Sequence, residues 1–143
     1  MTGLTAAARV DVRASQQQVW QALTDPTLIA EYMGGSQVET DWQVGSPIVW
    51  RGSYDGRTYE DKGTVLAYDE PHRLSVTHYS PLSGQDDAPE NYHTLVYTLT
   101  RTGDATRVEL TQDGCDSEEQ AQQFSANWQA FLDGLRQVVD RSG

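Results

Sequence analysis

The spacing of apolar residues changes twice along this chain. Residues 5–14 (TAAARVDVRA) alternate at Ala8, Val10, Val12 and Ala14, the period of a half-buried strand. Ser15-x-x-Gln18 then has the form of a capping box and opens a helix carrying Val19, Trp20 and Leu23. Asp25-Pro26 stops that helix and starts a second short one, Pro26 to Tyr32, because proline is tolerated at the first helical position. Gly34-Gly35 ends it. From there the period becomes two. Strands are expected at Ser36–Asp41, Ile48–Tyr54, Tyr59–Tyr68, Arg73–Ser80, Tyr92–Arg101 and Thr106–Gln112. Between them stand Gly45-Ser46-Pro47, an Asp55-Gly56 hairpin signal, Glu70-Pro71, the loop Pro81–Glu90, and Gly103-Asp104.

The last stretch, Asp116 to Arg141, returns to a period of 3.6. Phe124, Trp128, Phe131, Leu135 and Val138 form one stripe, with Leu132 and Val139 beside it. Asp116 and Ser117 are alternative N-caps, followed at the third position by Glu119 and Gln120 respectively. At 1.5 Å per residue such a helix runs roughly 36 Å, the width of a small domain. The order is therefore strand, two short helices, about six hairpin-linked strands, then a long helix. Strands in a run beside segregated helices predict an α+β fold with a curved antiparallel sheet of about 6–7 strands wrapped around the C-terminal helix.

Composition narrows the picture. With 143 residues, one domain spanning 1–143 is expected. Twenty-one acids against 10 Lys plus Arg give a formal charge of −11, which argues against nucleic acid and anionic membrane surfaces as partners. Cys115 is the one cysteine, so no disulfide or cysteine-based metal cluster forms within the chain. The opening residues have no apolar signal core, and no run is long enough for a membrane span. A cytoplasmic location is expected. The sequence contains no G-x-S-x-G, H-E-x-x-H, P-loop, C-x-x-C or G-x-G-x-x-G signature, and no catalytic residue, metal site or cofactor is assigned.

Candidate chemistry comes from strand parity. Leu74, Val76 and His78 share one face, as do His93, Leu95, Tyr97 and Leu99. Antiparallel pairing of Val76 with Leu95 and Leu74 with Tyr97 sets His78 opposite His93, with Cβ atoms about 5 Å apart. Such imidazoles could be structural, anchor a ligand, work as an acid–base pair or supply half a metal site, to which Asp61 or Glu60 could add a third group. Trp50 and Tyr54 share a face with Gly52 between them, leaving room for sheet curvature or a ligand. Phe124, Trp128 and Phe131 are either plain core or a cavity wall. Trp42 and Tyr68 are candidates for an exposed homodimer patch.

Four stretches carry a family resemblance: VWQALTDPTLIAEYMGG (Val19–Gly35), DWQVGSPIVWRG (Asp41–Gly52), GTVLAYDEPHRLSVTH (Gly63–His78) and NWQAFLDGLRQVVD (Asn127–Asp140). Together they resemble the heat-shock-protein ATPase activator homologues of the START and birch-pollen-allergen-like (SRPBCC) superfamily. The resemblance implies the helix-grip fold and a mostly apolar cavity between sheet and long helix, with an entrance near Tyr32–Gly35. It makes a small apolar or aromatic ligand the leading expectation, with Trp50, Tyr54, His78, His93, Tyr97, Phe124, Trp128 and Phe131 as cavity candidates. Two alternatives stand beside it. One is an enzyme of polyketide cyclase or aromatase type. The other is a co-chaperone-like module with the heat-shock ATPase as partner.

Overall fold

The computed structural model describes residues 4–33, 35–54, 56–81, 86–115 and 117–142, without the side chains of Tyr54, Arg57, Arg141 and Ser142. Gly34, Asp55 and Asp116, invoked above for a helix stop, a hairpin and an N-cap, lie outside the described residues.

The elements follow the expected order. They are β1 (Leu4–Val12), α1 (Gln16–Thr24), α2 (Pro26–Tyr32), β2 (Gln37–Glu39), β3 (Pro47–Tyr54), β4 (Arg57–Asp69), β5 (Arg73–His78), β6 (His93–Thr102), β7 (Ala105–Cys115) and α3 (Glu118–Ser142). The seven strands make one antiparallel curved sheet in the order β1-β7-β6-β5-β4-β3-β2. It is an α+β helix-grip arrangement, with α3 held in the curve.

Local chemistry explains the boundaries. Ser15 and Gln18 form the reciprocal capping box of α1. The Asp25 side chain accepts from the Thr27 amide and caps α2, with Pro26 in its first turn. At α3 the Ser117 hydroxyl accepts from the Gln120 amide, so the second of the two expected cap registers forms. Gly56, at φ 77, supplies the left-handed residue of the β3–β4 turn.

α3 buries its stripe unevenly. Leu132 and Leu135 are fully enclosed, with Val138 and Val139 nearly so. Each such side chain contributes about 1.5–3 kcal/mol of burial. Phe124, Trp128 and Phe131, nearer the start of α3, are only half-buried. The helix is thus anchored by its C-terminal half, and its aromatic half borders less tightly packed space. Its side chains also cover the edge of the sheet. Ser125 Oγ accepts from the Ala7 amide, and Gln129 donates to the Arg9 carbonyl, so α3 takes up hydrogen-bonding groups of edge strand β1.

Two expectations are corrected. Trp42 and Tyr68 do not form an exposed patch. Both are partly buried against the core, their ring centres are 6.0 Å apart, and the Trp20 indole donates to the Tyr68 hydroxyl. Wide, flat aromatics with one polar atom are well suited to closing the core beside α1, and that position covers part of each ring. The large apolar side chains that are exposed, among the described residues, are Leu4, Val44 and Leu66. Nor does Gly52 leave a gap, because a Cβ there would lie 2.6 Å from Tyr59 Oη. Among the described residues no helix is long and apolar enough to cross a membrane.

Candidate functional site

The register of β5 on β6 is the expected one: Leu74 pairs with Tyr97, Val76 with Leu95 and His78 with His93. On the other side of the curve, β3 and β4 pair Trp50 with Asp61. Because side chains alternate across a strand, Trp50, Asp61, His78, Leu95 and Tyr97 all project from the concave face. α3 lies across that face with Trp128 and Phe131. Between them is a hollow of about 320 Å³, open at one side. Its wall is completed by Met33 after α2, Ser53 on β3 and Tyr59 on β4. A narrower void of about 30 Å³ lies behind Met33, Trp50, Tyr97 and Phe131, which border both spaces.

Aromatic edges shape the interior. Trp128 and Phe131 meet edge-to-face with centres 5.3 Å apart, and Phe131 meets Tyr32 in the same way at 5.1 Å. The Trp128 indole N–H donates to buried Gln112 Oε1 at 2.7 Å, which fixes the ring. Burial holds the Tyr97 phenol well above its ordinary range, so it stays protonated and neutral at any physiological pH.

The polar groups are few and close together. His78 donates Nε2–H to Asp61 Oδ2 at 2.9 Å. The imidazole also sits edge-on to Trp50, with centres 5.1 Å apart. Asp61 Oδ1 is shut away from solvent and has no hydrogen-bond partner among the described residues. An acceptor enclosed in that way costs about 1–3 kcal/mol, more when charged, until a donor reaches it. Beside this pair, Ser36 and Tyr59 share a short hydroxyl–hydroxyl contact. Ser36 is enclosed almost completely.

Of the residues singled out from sequence, the hollow brings together Trp50, His78, Tyr97, Trp128 and Phe131. His93 and Phe124 are not among its lining residues. Although His93 opposes His78 in register, its Nδ1–H donates to the Asp113 carbonyl at 3.0 Å, and its ring faces Phe124 with centres 6.4 Å apart. That bond draws the imidazole toward the end of β7. The two histidines therefore have separate partners. The Tyr54 side chain lies outside the described residues. Of the two acids considered as company for His78, Asp61 reaches it. Glu60 is on the opposite face, paired with Arg51 at 2.7 Å. Among the described residues no three His, Cys, Asp or Glu side chains are placed to hold a metal ion. Cys115 is buried, with Sγ 4.0 Å from the Gln112 carbonyl.

Met33 falls in the Tyr32–Gly35 segment expected at the entrance, whereas Ser53, Tyr59 and Leu95 are lining residues that were not among the cavity candidates. Leu95 and Tyr59 were within reach, since each shares a strand face with a residue that was chosen.

A curved antiparallel sheet gripping a C-terminal helix, with a hollow between them, defines a helix-grip protein of the SRPBCC class. Within that class the chain belongs to a named family. Residues 13–140 match the family model described as activator of Hsp90 ATPase homolog 1-like protein. The solution structure of ChR145 from Cytophaga hutchinsonii is similar over 99% of this chain and 97% of that one, at 41% identity and a TM-score of 0.87. CalU16 from Micromonospora echinospora is 20% identical, covering 97% of this chain and 87% of that one, with a TM-score of 0.69. DynU16, described as a putative protein in the dynemicin biosynthetic locus, is 22% identical over 95% of this chain and 47% of that one, with a TM-score of 0.76. At these lower identities the likeness is one of fold. No curated protein sequence matches the chain.

Proposed function

We propose that this protein is a binding module for a small apolar or aromatic molecule, held between the concave face of the sheet and α3. One observation carries the reading: the hollow of about 320 Å³ is walled by Trp50, Tyr97, Trp128 and Phe131, with the hydrogen-bonded Asp61–His78 pair and the hydroxyls of Ser53 and Tyr59 as its polar groups. Ligand sites of this size combine mostly apolar walls with a small number of placed polar groups that fix orientation. Fold alone does not assign an activity, so the proposal rests on those walls.

A second reading is favoured by the same pair. A carboxylate that orients an imidazole is an arrangement suited to acid–base chemistry on a bound molecule, as in an aromatase or cyclase. DynU16, the putative protein in the dynemicin biosynthetic locus, is compatible with either reading but shares only the fold. A chaperone partner rests on the family's description alone.

Native mass spectrometry with a panel of one- to three-ring aromatic fragments tests the binding reading. One-to-one adducts are expected for the wild type. They should be lost in Ser53→Trp, where an exposed rim residue is enlarged into the opening. Adducts absent across the panel, or unchanged by that substitution, would overturn it. The same incubation in D2O separates the enzymatic reading. An acid–base enzyme returns the fragment carrying deuterium at carbon, whereas a binder returns it unaltered.

A further inference from the structure

The three histidines differ in what holds their ring nitrogens. His72 Nδ1 meets the Gln16 amide, and His93 Nδ1–H donates to the Asp113 carbonyl. His78 is the one that meets a carboxylate, with Nε2 2.9 Å from Asp61 Oδ2. A carboxylate accepts only, so the proton sits on Nε2, and in the neutral ring Nδ1 keeps a lone pair. Nδ1 has no hydrogen bond among the described residues. Nor is it sealed away. The His78 side chain is 24% exposed, and the enclosed polar side-chain atom without a partner is Asp61 Oδ1. Asp61 and the Trp50 ring, edge-on at 5.1 Å, together fix the imidazole against the wall of the hollow.

The other polar groups on that wall are weaker acceptors. Ser53 is exposed at the rim, and the Tyr59 hydroxyl is engaged with Ser36. Tyr97 is a neutral phenol. The Trp50 and Trp128 indoles only donate, and that of Trp128 is bound to Gln112. A hydroxyl oxygen is far less basic than an imidazole nitrogen, so an acidic O–H entering the hollow is best received by His78 Nδ1.

Resting on the binding reading above, we infer that the ligand is an aromatic compound with an acidic ring hydroxyl, a phenol or ring enol, whose O–H donates to His78 Nδ1. Asp61 is a positioning residue, acting through His78 by holding the proton on Nε2. Exposure sets the pose. His78 is partly open, whereas Leu95 and Tyr97, successively further along the same face, are buried. The hydroxyl therefore lies toward the opening, and the rings reach inward over Leu95, beneath Trp128 and Phe131.

Two probes of near-equal shape test this, 2-naphthol and its ether 2-methoxynaphthalene. Calorimetry should find 2-naphthol at least about fivefold tighter, the net worth of one good hydrogen bond. Long-range proton–nitrogen NMR spectra at about pH 8, above the ordinary imidazole range, should show His78 protonated at Nε2 and bare at Nδ1. The Nδ1 resonance should move when 2-naphthol binds and stay when the ether binds. In His78→Phe, which keeps a flat ring without the lone pair, the preference should vanish while the ether still binds. Asp61→Asn should bring a protonated Nδ1 into the spectra, and a proton that stays on Nε2 alone would refute the positioning role. A wild-type preference below about twofold, a proton already on Nδ1, or an Nδ1 resonance unmoved by bound 2-naphthol overturns the His78 assignment and leaves the binding module standing. Binding of neither probe up to its solubility limit would contradict both readings. Should His78→Phe fail to fold, the wild-type Nδ1 shift decides.

Discussion

Gly52 shows how closely the polar corner of the site is packed. A Cβ at this position would meet Tyr59 Oη at 2.6 Å and Ser36 Oγ at 3.0 Å. The glycine is present because the Tyr59 hydroxyl crosses it to reach buried Ser36, tying β4 to the start of β2. Gly52→Ala should therefore lower stability by about 1–3 kcal/mol, as overpacking does. Tyr59→Phe in the same chain should recover part of that loss. Thermal melting checks both, and a neutral Gly52→Ala would refute the packing account. From sequence the glycine offered room for sheet curvature or a ligand. What fills that room was not legible, because the Tyr59–Ser36 contact joins residues 23 positions apart. Asp61 was half legible for a similar reason. Its acidity near His78 could be seen, but its choice over Glu60 depends on which β4 residues face inward.

At the scale of elements, β4 explains why that face was hard to assign. Up to Val65 its odd positions pair inward, with Asp61 on Trp50 and Val65 on Val76. A register shift between Val65 and Ala67 then brings Tyr68 onto Leu74. Such a bulge inserts one residue and reverses the parity beyond it, so a single alternating pattern cannot describe the whole strand. β5 and β6 have no register shift, and there the sequence parity gave the correct pairing as far as His78 and His93.

The segment before β6 is fastened to β4 by its own side chains. Lys62 pairs with Asp87, Tyr92 donates its hydroxyl to Asp87 Oδ1 at 2.5 Å, and the Tyr92 ring stacks on Tyr79 with centres 5.2 Å apart. The Lys62 contact, then the Tyr92 hydroxyl, holds the Asp87 carboxyl below the usual carboxylate range. A depressed carboxylate stabilises the folded arrangement above its unfolded pKa, about 3.9. That contribution is lost as pH falls from there through the folded value. The Tyr79–Tyr92 ring cross-peaks in NMR spectra should accordingly weaken as pH is lowered from about 5 toward 3. Asp87→Asn should weaken them at every pH and remove the acid step. Cross-peaks that persist unchanged through acid would show that the clasp is not electrostatic.

For the whole molecule, the seven-stranded sheet and its gripped helix were legible because the hydrophobic period changes cleanly at Gly35 and again after Cys115. Four short stretches also pointed to the family now matched over residues 13–140. The division of labour along α3 was less visible. A uniform apolar stripe in sequence becomes an enclosed anchor at Leu132, Leu135, Val138 and Val139, and a half-buried aromatic wall at Trp128 and Phe131. Periodicity reports which residues share a face, and it does not report how far the opposing sheet stands from that face. Curvature sets that distance, through the bulge in β4 and the glycines where backbone or side chains approach closely. At Gly63, a Cβ would fall 1.8 Å from the Thr77 carbonyl oxygen.

The central claim is that the space between sheet and helix receives a small aromatic molecule. Isotope-filtered nuclear Overhauser spectra of the labelled protein with unlabelled 2-naphthol test it most directly. The account predicts contacts from the probe protons to Leu95, Tyr97 and Trp128. Contacts confined to the exposed Leu4, Val44 or Leu66, or none at all at saturating probe, would contradict it.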